Sequence, residues 1–274
     1  MDHLRYSDPA ARHTVETVIA AVHQVAQQEI VPRFMRVIHH RKDDGTLLSE
    51  ADLASQQFLV DRLPHIVDCP VIGEEMSRTD QEAALAAGNG HAWVIDPIDG
   101  TTNFVNGLPV FAVSVALLRE NKPFLGITYN PMSNELFYAW DGGGAFLNGK
   151  RLPLRPVTDR LDLAVANVDL KRLPKPLATC IATEPPFFSQ RNFGSSTLEW
   201  CQVAAGRIDA IVHGGQMLWD YAAGSVILRE AGGFMCTLGQ DDFDADNLWR
   251  RPVVAALSPS VFASWRDWLR ANGA

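Results

Sequence analysis

The sequence is poor in cysteine and contains no long apolar run. Its cysteines are scattered, without a C-x-x-C pair or a Cys/His cluster: they are Cys69, Cys180, Cys201 and Cys236. These spacings argue against a zinc site and against a disulfide framework, so we expect buried, reduced thiols. No apolar run reaches about 18 residues, and the first residues are charged rather than apolar. We therefore expect neither a membrane span nor a signal peptide.

The chain also lacks an excess of basic residues. Its formal net charge is −8 over 274 residues, which argues against nucleic acid as the main partner. Apolar residues make up 47% and charged residues 20% of the chain, as in ordinary globular proteins. The length suffices for one large domain or two medium ones. We expect a globular, cytoplasmic protein.

The most informative stretch is DPIDGTTNF at residues 96–104. It follows the apolar run 92–95, which predicts a buried strand, and that strand should stop at Pro97 because proline donates no backbone N–H. Asp96 and Asp99 are three residues apart, so a chain that turns at Pro97 can bring both carboxylates round one point. An Asx-turn without any ligand is the alternative for this stretch taken alone.

The neighbours of these carboxylates favour a metal and an anion. Ile98 offers its carbonyl, Gly100 lets the backbone approach a ligand closely, and the N–H groups of Gly100 and Thr101 can face an anion. Carboxylates, a carbonyl and free N–H groups suit Mg²⁺ together with a phosphate. An EF-hand loop does not fit, because acidic or amide residues are missing from its alternate positions, and the stretch contains no dinucleotide-binding G-x-G-x-x-G.

Local signals predict the helices that precede this motif. A helix should begin at Pro9 and end or kink at Pro32. Ser49 and Asp52 have the spacing of a capping box that opens a second helix. The pair His39-His40 between them is typical of a solvated helix end.

The pattern of the elements divides the chain into two halves. After the motif, predicted strands follow one another as in an antiparallel sheet, and Asn148-Gly149 predicts a type I′ hairpin. Beyond the charged, proline-containing segment 151–160, strands and helices alternate as in an α/β protein. We therefore predict an α+β half at 1–150 and an α/β half at 151–274.

Four ordered blocks of the sequence resemble those of one enzyme family. The stretch 96–104 resembles the signature of the inositol monophosphatase family, whose members are Mg²⁺-dependent phosphomonoesterases. The other blocks similar to that family are 42–46 with 49–52, 72–75, and 219–224. The resemblance implies an αβαβα layered sandwich with the site between the halves, a usual place for ligands. In this arrangement the first half supplies most metal ligands, and the second supplies Asp220 and the substrate loop.

The resemblance also implies roles for matched residues, with two or three Mg²⁺ ions per site. The first metal would be held by Glu74, Asp96 and the carbonyl of Ile98, and the second by Asp96, Asp99 and Asp220. The catalytic residues would be Thr101, which orients water with the support of Asp52, and Glu74. The substrate would be bound by Gly100, Thr101, Gly194, Ser195, Ser196, His213 and Asp220. Taken alone, Asp220 is also explained as an acid that stabilises a helix N-terminus.

One position departs from the family pattern. In inositol phosphatases an acidic residue precedes the block at 219–224 and contacts the inositol hydroxyls, and His213 stands at that position here. Neutral histidine has one acceptor nitrogen, whereas a carboxylate accepts from two hydroxyls at once. We therefore predict poor handling of inositol phosphate, or preference for a substrate with an acceptor or second anion near His213.

The predicted function is hydrolysis of a small phosphorylated polyol, with inositol phosphate as the first candidate. Other substrates in the wider superfamily are adenosine 3′,5′-bisphosphate, histidinol phosphate, fructose 1,6-bisphosphate and NADP. Some bacterial relatives also bind the transcription machinery, so a protein-binding factor is a second class of function. The resemblance further implies a homodimer and inhibition by Li⁺.

Overall fold

A computed structural model describes residues 9–36, 39–41, 47–245 and 247–273. The predicted block at 42–46 lies outside the described residues. The helices of the first half are α1 (Pro9–Val25), α2 (Glu50–Arg62), α3 (Arg78–Ala87) and α4 (Thr101–Val105). Its strands are β1 (His39–Arg41), β2 (Leu47–Ser49), β3 (Val71–Gly73), β4 (Ala92–Asp99), β5 (Ala112–Arg119), β6 (Lys122–Asn130), β7 (Glu135–Trp140), β8 (Gly144–Leu147) and β9 (Lys150–Arg151).

The second half alternates strands and helices. Its strands are β10 (Val165–Val168), β11 (Ser189–Arg191), β12 (Ala210–Met217), β13 (Phe234–Cys236) and β14 (Arg250–Ala256). Its helices are α5 (Lys175–Thr183), α6 (Ser196–Ala204), α7 (Leu218–Glu230) and α8 (Pro259–Ala271). No helix among the described residues is long and apolar enough to cross a membrane, and all four cysteines are free thiols.

Two mixed sheets organise the fold. The first has strands β3 to β9 in sequence order, with antiparallel pairing except between β3 and β4. That pair is parallel because α3 returns the chain between the two strands, so the expected antiparallel sheet has one parallel edge. The second sheet has the order β11-β10-β12-β14-β13, with β10 parallel to both its neighbours and β14 antiparallel to both of its own.

Three apolar cores hold five layers together. Alternation along β4 explains two of them: Trp93 and Ile95 pack towards α1 and α2, whereas Val94 packs on the opposite face towards α6 and α7. Helix α7 is buried along almost its whole length because the two sheets enclose it. The third core joins the second sheet to α5 and α8, with Trp265 fully buried. The αβαβα layering predicted from the resemblance is therefore confirmed.

Two local predictions were wrong. Strand β4 does not stop at Pro97 but continues to Asp99 across a register shift between Asp96 and Asp99. The irregularity leaves Pro97 outside the regular ladder, where its missing N–H costs nothing. His39-His40 lies in β1, paired with β2 around Leu48, rather than at a helix end, because strand pairing satisfies this backbone.

Other local predictions were confirmed. Asn148 and Gly149 have φ of 47° and 80°, as a type I′ hairpin requires. After α1 the helical backbone continues through a π turn (Ala26–Ile30) and a 3₁₀ turn (Val31–Arg33), so it ends one residue after Pro32. Helix α2 opens on the Ser49 and Asp52 pair.

Candidate active site

The irregular end of β4 presents two buried carboxylates. The backbone N–H of Ile98 donates to Asp96 Oδ1 at 3.1 Å, which fixes the Asp96 side chain inside the bend. Gly100 follows with φ of 93° and begins α4. A Cβ there would lie 3.0 Å from the carbonyl oxygen of Val110 and 3.2 Å from that of Gly194. Only glycine therefore suits this close approach of two loops.

The start of α7 adds a third carboxylate. Strand β12 runs directly into α7, and the backbone N–H of Met217 donates to Asp220 Oδ2 at 2.7 Å. This bond holds Asp220 at the helix start. One ligand oxygen from each of Asp96, Asp99 and Asp220 lies within 4.8 Å of the others. We call these three residues the acidic cluster.

The acidic cluster is electrostatically unfavourable without a cation. Burial raises the pKa of Asp96 well above its ordinary value, and the charges of Glu74, Asp99 and Asp220 raise it further. Burial, followed by the charge of Asp99, likewise raises the pKa of Asp220. Hard carboxylate oxygens crowded in this way are the donor set that Mg²⁺ takes, and a divalent cation would offset their repulsion. The residues present therefore fit a magnesium site.

Asp99 also joins the two halves of the chain. Its Oδ2 accepts from Ser195 Oγ at 2.6 Å and from the backbone N–H and Oγ1 of Thr197, both at 2.7 Å. Among the described residues, its Oδ1 accepts the N–H of Ser196 alone, at 3.2 Å. Burial raises the pKa of Asp99, and these hydrogen bonds oppose the rise. The carboxylate therefore caps α6 through Oδ2 and leaves Oδ1 the freer oxygen.

Thr101 lies between Asp52 and the backbone of the motif. Its Oγ1 is 3.2 Å from the carbonyl oxygen of Ile98 and 3.5 Å from Asp52 Oδ1. Asp52 is fully buried, and its other oxygen accepts from the Ser49 N–H at 2.8 Å and from Ser49 Oγ at 2.6 Å. The capping residues of α2 thus hold Asp52 with one oxygen towards Thr101.

All these groups surround one cavity of about 610 Å³. Its volume is in the range of small-molecule sites. Except for Asp52, which lies behind Thr101, the predicted site residues all line it: Glu74, Asp96, Ile98, Asp99, Gly100, Thr101, Gly194, Ser195, Ser196, His213 and Asp220. Glu74 stands outside the acidic cluster but close enough to raise the pKa of Asp96.

Comparison with known proteins identifies the family. The model of the inositol monophosphatase family matches residues 8–267. The chain belongs to the inositol monophosphatase family.

Its relatives carry two kinds of name. The inositol-1-monophosphatase of Mesorhizobium japonicum is 35% identical over 212 residues, which cover 74% of this chain and 77% of that protein. The Nus factor SuhB of Salmonella typhimurium is 36% identical over 245 residues, which cover 84% and 86%. The solved structure of the Thermotoga maritima IMPase has 27% identity and a TM-score of 0.80, covering 94% of this chain and 97% of that one. The sequence similarity therefore extends to both kinds of relative.

His213, which the sequence analysis expects to depart from the family pattern, lies on the cavity in a defined orientation. The backbone N–H of Gly215 donates to His213 Nδ1 at 3.1 Å, so the proton of the neutral ring is on Nε2. Nε2 is 3.7 Å from Asp169 Oδ2. Burial lowers the pKa of His213 to about 4, although Asp169 acts in the opposite direction. Its one acceptor nitrogen is therefore already occupied, and the ring presents a donor.

Several residues that line the cavity were not predicted as site residues from the sequence. The acidic and basic ones are Asp169, Lys171, Arg172, Glu199 and Arg250. Asn103 also lines the cavity, and its Nδ2 donates to the carbonyl oxygens of Val110 at 2.7 Å and Phe193 at 2.8 Å. The charged run 169–172 directly after β10 was a usable signal, because ligands bind beyond the carboxyl ends of parallel strands. Arg250 had none, since only the pairing of β12 with β14 brings it here.

Proposed function

We propose that this protein is a Mg²⁺-dependent phosphomonoesterase that hydrolyses a small phosphorylated polyol, with inositol phosphate as the first candidate. The observation that supports it is the acidic cluster, in which one carboxylate oxygen from each residue lies within 4.8 Å of the others on the cavity. Such a cluster costs stability unless a cation binds, so a metal-dependent reaction is the simplest function for it.

The acidic cluster, together with Glu74 and the carbonyl of Ile98, would hold two ions. Glu74, Asp96 and the carbonyl of Ile98 would hold one, and Asp96, Asp99 and Asp220 the other. Asp99 would use Oδ1, since its Oδ2 already accepts three hydrogen bonds. The chemistry that Mg²⁺ supplies when bound is activation of water and neutralisation of the entering, phosphoryl and leaving oxygens.

The other residues position the reactants. Thr101 Oγ1 would donate to Asp52 Oδ1 and accept a hydrogen bond from the attacking water, so the Asp52 carboxylate orients the hydroxyl. The N–H groups of Gly100 and Thr101, which begin α4 and have no intrahelical acceptor, would bind phosphoryl oxygens. Gly194, Ser196 and His213 would face the alcohol part of the substrate, whereas Ser195 would act mainly through Asp99.

A phosphatase screen tests this proposal. Inositol 1-phosphate, the alternative substrates named above and p-nitrophenyl phosphate would be incubated with Mg²⁺ or with EDTA, and phosphate release would be measured. We expect hydrolysis of at least one phosphomonoester that needs Mg²⁺ and stops in EDTA. Activity that persists fully in EDTA, or no hydrolysis of any of these compounds, would contradict the proposal.

A second candidate function is protein binding. The relative named Nus factor SuhB matches 84% of this chain at 36% identity, and the chain carries a net charge of −8. A pull-down with RNA polymerase, using wild type and Asp96→Asn, separates the two functions. Capture by both proteins, together with a negative phosphatase screen, would favour the protein-binding role. The homodimer and inhibition by Li⁺ remain predictions for light scattering and for the same screen.

A further inference from the structure

Basic side chains line the part of the cavity formed by the second half of the chain. Lys171 and Arg172 lie on the turn after β10, and Arg250 begins β14. We call these three residues the basic wall. Asp169 is the acidic residue beside them, and His213 is neutral there at physiological pH because burial lowers its pKa to about 4. Arg172 is also close enough to Asp220 for its charge to lower the pKa of that carboxyl, whereas no such effect is found for Lys171 or Arg250.

Most of this positive charge is not neutralised within the protein. Asp169 Oδ2 is 4.0 Å from Arg172 Nε and 3.7 Å from His213 Nε2, so its interactions are with those two groups. Among the residues that the structure describes, Lys171 and Arg250 form no ion pair with a carboxylate, and both are exposed. The basic wall therefore has free donors for a ligand.

Two adjacent glycines of β12 bring the basic wall together. A Cβ at Gly214 would lie 1.9 Å from the carbonyl oxygen of Arg172, and a Cβ at Gly215 would lie 2.5 Å from Arg250 Nε. The turn that carries Lys171 and the side chain of Arg250 thus both lie against the same irregular segment of β12, where its register with β14 shifts. The juxtaposition is part of the fold rather than a chance approach of surface side chains.

The neighbouring polar groups also favour an anion. The Nδ1 of His213 is occupied by the Gly215 N–H, so His213 can only donate to a ligand through Nε2. Lysine and arginine have donors and no acceptor. The basic wall and His213 therefore offer donors only. They suit a ligand that accepts hydrogen bonds and carries negative charge, such as a phosphate or a carboxylate.

We propose that the basic wall binds a second anionic group, a phosphate or a carboxylate, on the alcohol portion of the substrate. The acidic cluster then serves the phosphate that is cleaved, and the basic wall selects doubly anionic substrates over singly phosphorylated polyols. This assignment rests on the proposed phosphatase function but places doubly anionic substrates ahead of inositol phosphate, the first candidate given above.

Matched substrate pairs test the assignment and distinguish the two anions. Fructose 1,6-bisphosphate is compared with fructose 6-phosphate for a second phosphate, and 3-phosphoglycerate with glycerol 3-phosphate for a carboxylate, at fixed free Mg²⁺. For at least one pair we expect kcat/KM to be about tenfold or more higher for the doubly anionic member, the size of a lost charge-assisted hydrogen bond. Arg250→Gln and Lys171→Gln should each reduce that ratio about tenfold or more.

Lys175→Gln is the matched control. Lys175 is an exposed lysine at the start of α5, four residues after Lys171, and its side chain does not line the cavity. It should leave both ratios unchanged. Wild-type ratios near one or below in both pairs would overturn the assignment. A high ratio that Arg250→Gln and Lys171→Gln do not lower would overturn it as well, since the selectivity would then arise elsewhere.

The assignment can fail separately from the phosphatase function. If no phosphomonoester is hydrolysed, the proposed function is wrong, and calorimetric titration of the same pairs with Mg²⁺ present then tests the basic wall. Tighter binding of a doubly anionic member to wild type than to Arg250→Gln supports the assignment. Equal binding of both members, or equal binding by both proteins, overturns it.

Discussion

The acidic cluster and the basic wall lie on one cavity but are built in different ways. Asp96 and Asp99 are buried, and backbone or hydroxyl donors fix each carboxylate of the cluster at distances from 2.6 to 3.2 Å. Lys171 and Arg250, in contrast, are exposed long side chains on a turn and at a strand start. Groups that need fixed geometry are thus held rigidly, whereas groups that recognise the variable part of a substrate keep their freedom.

The largest expected effect comes from breaking the acidic cluster. Asp99→Asn should lower kcat/KM for p-nitrophenyl phosphate by about 10²-fold or more, because a charged metal ligand is lost. The control is Asp209→Asn, since Asp209 is also buried and accepts the Val165 N–H at 2.8 Å but lies outside the cavity. Kinetics within about threefold of wild type for Asp99→Asn would show that the cluster is not catalytic.

A smaller effect is expected where the basic wall meets β12. In Gly214→Ala the new Cβ would lie 1.9 Å from the Arg172 carbonyl oxygen, so the turn must move, at a cost of about 1–3 kcal/mol in the free energy of unfolding. Gly239→Ala is the control, because nothing lies within 4 Å of a Cβ there. Urea unfolding would measure both. Equal midpoints for the two variants would contradict the close packing of the turn.

Glu199 should make the stability of the protein depend on pH. This buried cavity residue has its pKa raised to about 8, first by burial and then by the charge of Asp99. Because folding raises this pKa, the protonated carboxyl contributes fully to stability below pH 4.5, its ordinary pKa. That contribution is lost as the pH rises towards 8. In EDTA the free energy of unfolding should therefore fall with pH, Glu199 contributing at most about 1.4 kcal/mol per pH unit.

Replacing the carboxyl removes that contribution. Glu199→Gln should unfold in urea with a flatter pH dependence than wild type between pH 5 and 8, with both proteins in EDTA. The conservative amide can still accept the Phe193 N–H. Parallel stability curves for the two proteins would show that Glu199 does not titrate in this range.

Reduction should affect neither the acidic cluster nor the basic wall. All four cysteines are free, and the cavity lining includes none of them. Reducing agent should leave the melting temperature and the phosphatase rate unchanged. A native disulfide in the mass spectrum of the thiol-blocked protein would refute this expectation.

The acidic residues were more predictable from the sequence than the basic ones. Asp96 and Asp99 are neighbours in one motif, so local turn chemistry sufficed to pair them. Asp220 required the family resemblance, because its helix-start position alone has a purely structural explanation. Arg250 reaches the basic wall only through strand pairing, which no local pattern encodes.

The fold shows the same limits. Most central strands followed from apolar runs, such as 92–95 in β4, whereas the layering followed from the family resemblance. Pairing overrode local rules at Pro97, where the register shift accommodates a proline inside β4. Helix α5 went unpredicted because the prolines at its start, Pro174 and Pro176, favour a loop by composition yet also suit a first helical turn.

The most direct test of the metal site is a melting experiment on wild type and Asp220→Asn, each with EDTA and with Mg²⁺. An Asn side chain can still accept the Met217 N–H at the start of α7. The substitution removes a carboxylate that burial and the charge of Asp99 disfavour, as its raised pKa indicates. Without metal, the variant should therefore melt at a higher temperature than wild type. Mg²⁺ should then raise the melting temperature of wild type, because binding at 100 times its Kd adds about 2.7 kcal/mol to the free energy of unfolding. The melting temperature of the variant should change far less. Equal Mg²⁺ shifts in both proteins, or none in wild type, would contradict a metal site at the acidic cluster.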